Sequence, residues 1–265
     1  MVEPEYPAAV DRYVNLGRFY QIKACKEARE EIVLHAKAYR EAYQKAYHAL
    51  AAASEVGRTV EEIQRRGWNR EKLEQRAAGI ISREIPRRGT ERGEARQRFL
   101  GGITCKGLIW RFDTVEALAD RVYVLLDSCG LGDLLLRRVA AAAMERGWDA
   151  ILCPDPNQPQ RLQHLVIPSL RLAFVTSREG MAYTGPAYRR LHLDALLDSG
   201  VCRQNKARCR FHRRMHRLLL EEGEQFLREA KVSHDRMESA YNAHVDFDGV
   251  YALAEEEWQR IRRWL

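Results

Sequence analysis

The glycine-rich stretch DSCGLGDLLL, residues 127–136, is the part of the sequence whose residue types come closest to supporting chemistry. It follows the apolar run RVYVLL and precedes the alanine-rich run VAAAAM, a pattern that predicts a strand, a tight turn and a helix. A turn of this kind can hold a phosphate group, because its backbone N–H groups converge and the following helix directs its positive end at the anion. The first hypothesis for this stretch is therefore a nucleotide-phosphate site.

A working phosphate loop also needs a lysine that reaches the phosphate oxygens and a hydroxyl group that helps to bind magnesium. Asp133 and Leu134 stand at these two positions, directly after Gly132. Exchanging a lysine for a carboxylate turns an attraction of about 4 kcal/mol into a similar repulsion, at ~4 Å and an effective dielectric constant of ~20. The swing of roughly 8 kcal/mol equals the free energy of micromolar binding. The loop is therefore predicted to keep the shape of a phosphate site without its charge.

The candidate nucleotide-binding residues of this degenerate loop are Asp127, Ser128, Cys129, Gly130, Leu131, Gly132, Asp133 and Leu134. Asp127 and Asp133 could instead form a cation site, although Ser128 is the only other oxygen donor near them in the sequence. No catalytic residue or metal-ligand set is predicted, since none of the six cysteines are spaced C-x-x-C and the histidines show no zinc pattern. We expect no cofactor, with ATP and magnesium as the less favoured alternative.

The elements that position this loop lie between residues 99 and 181. A first strand, RVYVLL, leads into the loop and its helix, for which Gly147 is the expected C-terminal cap. DAILC is a second strand, and HLVIPSLRLAFVTS supplies two more that are broken at Pro168–Ser169. This order predicts the α/β class, with a parallel sheet covered by helices.

Helical segments flank the predicted core on both sides, over residues 18–82 and 186–265. Asn69 is a suitable N-cap for the second helix, and the charged, glycine-containing stretch 84–99 is predicted to be a linker or mobile loop. The predicted helices are Glu27–Ala53, Glu71–Ile81, Asn205–Ala243 and Gly249–Trp264.

The two helical segments also resemble each other. Residues 46–73 can be aligned with residues 223–250 at a constant offset of 177 positions. This offset pairs Leu50 with Leu227. Both copies carry a helix that bends and resumes near an N-cap residue. We predict a repeated unit in which an α/β core is followed by a helical hairpin.

Composition limits the function classes. The chain of 265 residues has a net charge of +7 and no apolar run long enough to span a bilayer. The start MVEPEYPAAV lacks the features of a secretory signal, so a cytoplasmic location is expected, without a membrane partner. Residues 203–217 are rich in arginine and free of acids, which indicates either a solvated helix face or a nucleic-acid site. Its candidate contacts are Arg210, Arg213 and Arg214.

Several stretches together resemble a known family, the bacterial proteins built from two tandem P-loop ATPase-like halves. The resemblance covers nearly the whole chain in order. It rests on VEPEYPAAVDRYVNLGRF (2–19), RFLGGITCKGLIWRFD (98–113), VYVLLDSCGLGDLLLRRVA, ERGWDAILCPDP (145–156) and HLVIPSLRLAFVTS (164–177). In that family the loop reads G-x-P-G-x-G-K-[ST], of which Gly130 and Gly132 remain. The family's ITPKG stretch corresponds to ITCKG here and keeps Lys106, and the aspartate that ends its last core strand corresponds to Thr176.

The resemblance implies a division into three parts. Residues 1–97 would be the helical tail of a first half whose core is missing, with a linker, 98–181 a degenerate P-loop core, and 182–265 a helical hairpin. The implied function is that of a catalytically impaired ATPase relative, a scaffold or interaction module whose exposed surface is covered by a protein partner or by self-association. The alternatives are a residual ATP-binding protein or ATPase whose non-standard phosphate loop uses Lys106 or a basic residue from elsewhere, an unrelated α/β protein, and a nucleic-acid-binding protein.

Overall fold

The computed structural model describes residues 12–128, 130–178 and 180–263. Its helices are α1 (Ile22–Glu27), α2 (Arg29–Arg65), α3 (Arg70–Glu84), α4 (Phe112–Leu118), α5 (Gly132–Glu145), α6 (Ser199–Gln204), α7 (Lys206–Asn242) and α8 (Phe247–Ile261). Its strands are β1 (Ala95–Gln97), β2 (Gly101–Thr104), β3 (Gly107–Trp110), β4 (Arg121–Leu126), β5 (Ala150–Pro154), β6 (Leu162–Ile167), β7 (Leu172–Ser177) and β8 (Arg189–His192). Short 3-10 helices lie at Leu16–Phe19, Pro168–Leu170 and Asp194–Leu196.

The protein is of the α/β class, with a six-stranded sheet in the order β1-β5-β6-β7-β4-β8. The β1–β5, β4–β7 and β4–β8 pairs are parallel, whereas β6 is antiparallel to both β5 and β7. The prediction of a parallel sheet is therefore correct for most of the sheet and wrong for β6. The physical reason is the short connection at Pro168–Leu170, because a parallel crossover needs a dozen or more residues.

Two segments are assigned differently by sequence and structure. The stretch 84–99, predicted to be a linker or mobile loop, contributes β1, which pairs with β5 at the sheet edge. The segment from residue 186, predicted to be helical, first forms β8 beside β4 and turns helical only at α6. Both strands are polar and partly or fully exposed, so their sequences lack the apolar pattern of a buried strand.

Helix α5 covers one face of the sheet next to the glycine-rich loop. Leu135, Leu136 and Val139 are fully buried in the main apolar cluster, which α3 also joins. The predicted cap is confirmed: Gly147 has φ +88°, and the N–H groups of Gly147 and Trp148 donate to the carbonyls of Met144 and Ala143. This Schellman arrangement fixes the end of α5.

The helices repeat as the sequence predicts. Helices α1, α2 and α3 have 6, 37 and 15 residues, and α6, α7 and α8 have the same lengths in the same order. Position 29, where α2 starts, and position 206, where α7 starts, differ by 177. The isolated bridge Tyr20–Val245 has its counterpart at the same offset in Leu197–Trp68.

Helix α2 continues past the predicted end at Ala53 and through Gly57 to Arg65. A glycine inside a helix costs about 1 kcal/mol relative to alanine, so a packing reason is expected. A Cβ atom at Gly57 would lie 2.9 Å from Nε2 of Gln158 and 3.1 Å from Cδ2 of His216. The glycine is therefore needed for close approach rather than for a bend.

The described chain forms two compact units. One contains the described residues up to Tyr43 and from Glu229 onward, and the other is Gln44–Arg228, which holds the sheet and the glycine-rich loop. Within the residues that the structure describes, no helix combines the length and apolar character needed to cross a membrane.

Candidate functional site

Asp127 closes the glycine-rich loop with its own carboxylate. It follows β4 directly and is 3% exposed. Its Oδ1 accepts a hydrogen bond from the N–H of Leu131 at 3.0 Å, and its Oδ2 accepts one from Gly132 at 2.8 Å. These two N–H groups belong to the N-cap residue and the first residue of α5, at the helix end where the dipole stabilises an anion. An internal carboxylate therefore uses the donors that a phosphate would need.

Asp133, the residue that the sequence predicts to oppose a phosphate, is directed elsewhere. Its Oδ1 accepts from the backbone N–H of Leu162 at 2.7 Å and from Nε of Arg137 at 2.8 Å. The side chain therefore links α5 to the start of β6, and its charge is paired. The carboxylate in contact with the N–H groups of the loop is that of Asp127.

The remaining loop residues are held by neighbouring segments. The N–H of Ser128 donates to Oδ1 of Asp194 at 2.9 Å, and the carbonyl of Gly130, whose φ is +76°, accepts from Arg161 at 3.2 Å. Leu131 is buried, and Leu134 packs against the main apolar cluster. Cys129 lies outside the described residues.

Thr176 and Lys106 have different places relative to the loop. Thr176 is buried, and its hydroxyl donates to the carbonyl of Gln163 at 2.6 Å. Its Oγ1 also lies 3.4 Å from where a Cβ atom at Gly132 would be, so it is adjacent to the loop. Lys106 is exposed at the turn between β2 and β3, where its backbone N–H donates to Oγ1 of Thr104. Lys106 does not line the cavity that lies beside the loop.

A cavity of about 140 Å³ lies beside the loop. Its wall is formed by α2, the β2–β3 hairpin, the loop, the 155–161 turn after β5, and α7, all within the unit Gln44–Arg228. This is the carboxyl end of β4 and β5, the edge at which open α/β sheets bind ligands. The wall residues that carry charge or polar side chains include Glu61, Gln64, Asp155, Asn157, Arg161 and Arg178.

Two ion pairs lie in this wall. Arg161 pairs with Glu61, and both side chains are 16% exposed. Arg178 Nη2 lies 3.2 Å from Oδ2 of Asp155. Burial, with a smaller contribution from the charge of Arg178, lowers the pKa of Arg161 to about 10. The guanidinium therefore remains charged at neutral pH.

Four wall side chains each carry a buried polar atom that has no hydrogen-bond partner within the described chain. These atoms are Oε1 of Gln64, Nε1 of Trp110, Nδ2 of Asn157 and Nε of Arg161. More than about 90% of buried polar groups in proteins are satisfied, and leaving one unsatisfied costs about 1–3 kcal/mol. The concentration of such atoms at a single cavity indicates a surface built to contact a polar molecule.

His164 lies behind the cavity wall and is fully buried. Its Nδ1 accepts from the N–H of Thr176 at 3.2 Å, so Nε2 carries the proton of the neutral ring. The ring makes edge contacts with Trp110 and Phe112, each at a centroid distance of 5.7 Å. Burial, and secondarily the charge of Arg178, lowers the pKa of His164 to about 3.

The predicted arginine-rich segment lies on α6 and α7. Arg210, Arg213 and Arg214 are all exposed, and Arg213 also contributes to the cavity wall. His216, one turn further on, lines the cavity as well, and burial lowers its pKa. Because positions 210, 213 and 214 are spaced i, i+3 and i+4, the three arginines share one face of α7.

A cluster that the sequence reasoning missed is formed by His234, Asp235 and Glu238 on α7, whose potential ligand atoms lie within 4.8 Å of one another. Asp235 already pairs with Lys231, and the group is largely exposed. Glu238 follows His234 by one helical turn, so the pattern was readable in the sequence. An exposed cluster with a paired carboxylate gives weak support for a metal site.

Sequence reasoning also missed the cavity. Its only sequence sign was the turn DPNQPQR, residues 155–161, which follows a strand at the expected ligand-binding edge. The contributions of Trp110 from the hairpin and Gln64 from α2 come from segments distant in the chain. Comparisons with protein-family models, with curated proteins and with solved structures found no match.

Proposed function

We propose that this chain is a catalytically impaired P-loop ATPase-like protein that acts as a scaffold or interaction module. The observation that carries this proposal is the pair of hydrogen bonds from the N–H groups of Leu131 and Gly132 to the Asp127 carboxylate. A phosphate could take that place only by displacing a buried side chain and accepting its negative charge as a neighbour.

The charges around the loop also support loss of catalysis. Phosphoryl transfer depends on positioned cations that neutralise the transferred group. Two arginines of the cavity wall, Arg161 and Arg178, are paired with Glu61 and Asp155. Thr176 uses its hydroxyl on a backbone carbonyl, and Leu134 has no magnesium ligand to offer. The positions that would hold the lysine and the magnesium ligands of a working site therefore lack those groups.

The interaction part of the proposal rests on α8. Phe247, Tyr251, Trp258 and Ile261 are 41%, 68%, 50% and 52% exposed. At 3.6 residues per turn these four side chains fall within about 80° of one another, which makes one apolar face.

The role of the apolar face of α8 is indicated by comparison with α3, its counterpart in the helical repeat. In α3, Ala77 is buried and Ile81 packs against the apolar cluster of the sheet. Their counterparts 177 positions later, Ala254 and Trp258, are exposed. A face that is covered in one copy and exposed in the other is suited to association with another chain. Self-association through two α8 faces, related by a twofold axis, is the simplest arrangement.

Light scattering at tens of micromolar tests the association. The wild-type chain should be dimeric, and Tyr251→Ser with Trp258→Ser should give monomers. Phe211→Ser, which changes a 60% exposed aromatic residue on α7, is the matched control and should stay dimeric. A monomeric wild-type protein would refute self-association.

Nucleotide titration tests the loss of catalysis. With ATP and magnesium we expect no phosphate release and no saturable stabilisation above about 2 kcal/mol, the effect of a ligand well above its dissociation constant. The proposal is refuted by turnover that disappears in Gly132→Ala, whose added Cβ would lie 3.0 Å from Oδ2 of Asp127. Such a result would instead support the residual ATPase alternative.

The exposure of the arginines on α7 favours nucleic-acid binding as a second candidate function. Contacts with phosphates release counterions, so binding should weaken steeply with salt. Changing Arg210, Arg213 and Arg214 together should abolish binding to a duplex oligonucleotide in a fluorescence-anisotropy titration. Binding that is insensitive to salt or to this triple change would exclude the helix as the nucleic-acid site.

A further inference from the structure

We propose that the cavity beside the loop binds a small oxyanion, a carboxylate or phosphate group of a compact molecule, through Trp110 and Arg161. This site is separate from the carboxylate-filled turn of the loop. It goes beyond the proposed function, because an interaction module can bind a small ligand with or without loss of ATP hydrolysis.

The chemistry of the unpartnered atoms favours an acceptor. Indole Nε1–H and guanidinium Nε–H can only donate hydrogen bonds, so Trp110 and Arg161 require an acceptor whichever way the neighbouring amides are turned. Both side chains line the cavity. Oxygen atoms of a carboxylate or phosphate accept such bonds, and bonds from a charged guanidinium are the stronger kind.

The charged side chains of the wall favour an anion over a cation. Arg161, Arg178 and Arg213 line the cavity together with the acids Glu61 and Asp155. A wall with more arginines than acids suits a ligand that carries a negative charge.

The size of the cavity favours a compact ligand. About 140 Å³ is much more than the ~10–15 Å³ that one water needs, and less than the ~300–1,000 Å³ of pockets for drug-sized molecules. A ligand that lies wholly inside the cavity is therefore smaller than a nucleoside triphosphate. Gln64, whose Oε1 is also unpartnered, offers an acceptor for a hydroxyl or amine elsewhere on the ligand.

Titration of the full chain with inorganic phosphate and with acetate tests the site, with chloride at matched ionic strength as the reference salt. Calorimetry should show saturable binding of phosphate or acetate, and the tighter of the two identifies the class of oxyanion. Trp110→Phe keeps the aromatic ring and removes the N–H, so it should weaken binding ~5-fold, the value of one hydrogen bond. Trp148→Phe removes an indole N–H that donates to the carbonyl of Pro86 outside the cavity wall, so this variant should bind as the wild type does.

A second variant guards against a folding defect. Arg161→Lys keeps the charge that faces Glu61 but removes the Nε donor and the planar fork, and should weaken binding by a similar factor. Circular dichroism should show that both variants are folded. The proposal is overturned if neither phosphate nor acetate binds saturably at tens of millimolar, or if folded Trp110→Phe and Arg161→Lys bind as tightly as the wild type.

Discussion

Removing the Asp127 carboxylate should destabilise the protein more than an ordinary helix cap would. In Asp127→Ala the N–H groups of Leu131 and Gly132 lose their acceptors, and both residues are buried, so water has poor access to replace them. A hydrogen bond to a charged group contributes about 1.5–3 kcal/mol, and a typical N-cap about 1 kcal/mol. Relaxation of the loop offsets part of the two bonds, which leaves an expected loss of about 3 kcal/mol.

Asp127→Asn keeps the size of the side chain and removes its negative charge, so it measures the contribution of the charge to stability. An amide can offer one oxygen, so its NH₂ group would face the second backbone N–H, and we expect at least half of the loss seen for Asp127→Ala. Asp120→Ala is the control: this carboxylate pairs with Arg171 at the surface, where solvent screens such pairs and they contribute little to stability.

Urea unfolding followed by circular dichroism measures all three variants against the wild type. The midpoint should fall without a large change in the slope, which reports the surface exposed on unfolding. A loss for Asp127→Ala no larger than that for Asp120→Ala would contradict the reasoning. It would mean that the loop does not depend on an internal anion and could accept an external one.

Three further predictions concern other ionisable side chains, His164, Glu84 and Asp133. The pKa of His164 falls from 6.5 unfolded to about 3 folded, so acid favours the unfolded chain, and unfolding free energy should drop by about 2 kcal/mol on going from pH 7 to 5, with a smaller drop in His164→Gln. Glu84→Gln removes the buried charge that Arg121 contacts and should cost about 2–3 kcal/mol in urea unfolding; a loss near zero would show the pair to be dispensable. Asp133→Lys should not create ATP binding in calorimetry while Asp127 remains, and micromolar binding would restore the expectation that Asp133 opposes the phosphate.

The parts of the fold that local sequence determines were predictable. The cap at Asn69, whose side chain accepts from the N–H of Lys72, and the Gly147 termination depend on residues within a few positions of each other. The break at Pro168–Ser169 likewise follows from local chain chemistry. In contrast, β8 is a strand because Arg190 and Leu191 pair with β4, not because its own sequence alternates. Strand pairing partners of this kind cannot be inferred from amino-acid composition or from hydrophobic periodicity.

At the candidate site, too, the features set by neighbouring residues could be predicted, and those set by distant contacts could not. The glycine pattern was enough to locate a strand, a tight turn and the start of α5, but it could not decide which of two carboxylates would meet the loop. Asp127 and Asp133 both lie within five positions of the same N–H groups, and the outcome depends on the direction of each side chain. Asp133 is drawn away because Leu162 of β6, 29 positions later, offers it a backbone donor. That contact exists only once the sheet is assembled.

The carboxylate at Asp127 links the two proposals. A loop whose anion is covalently part of the chain is held in one conformation at all times, whereas a loop that binds and releases phosphate must be stable in both states. The fixed loop in turn holds Gly130, whose carbonyl accepts from Arg161 and so helps to place that guanidinium in the cavity wall. A turn that is filled by Asp127 therefore gives the neighbouring cavity a rigid support. On this reasoning Asp127→Ala should weaken oxyanion binding in the cavity as well as lower stability, although Asp127 lies outside the wall of that cavity.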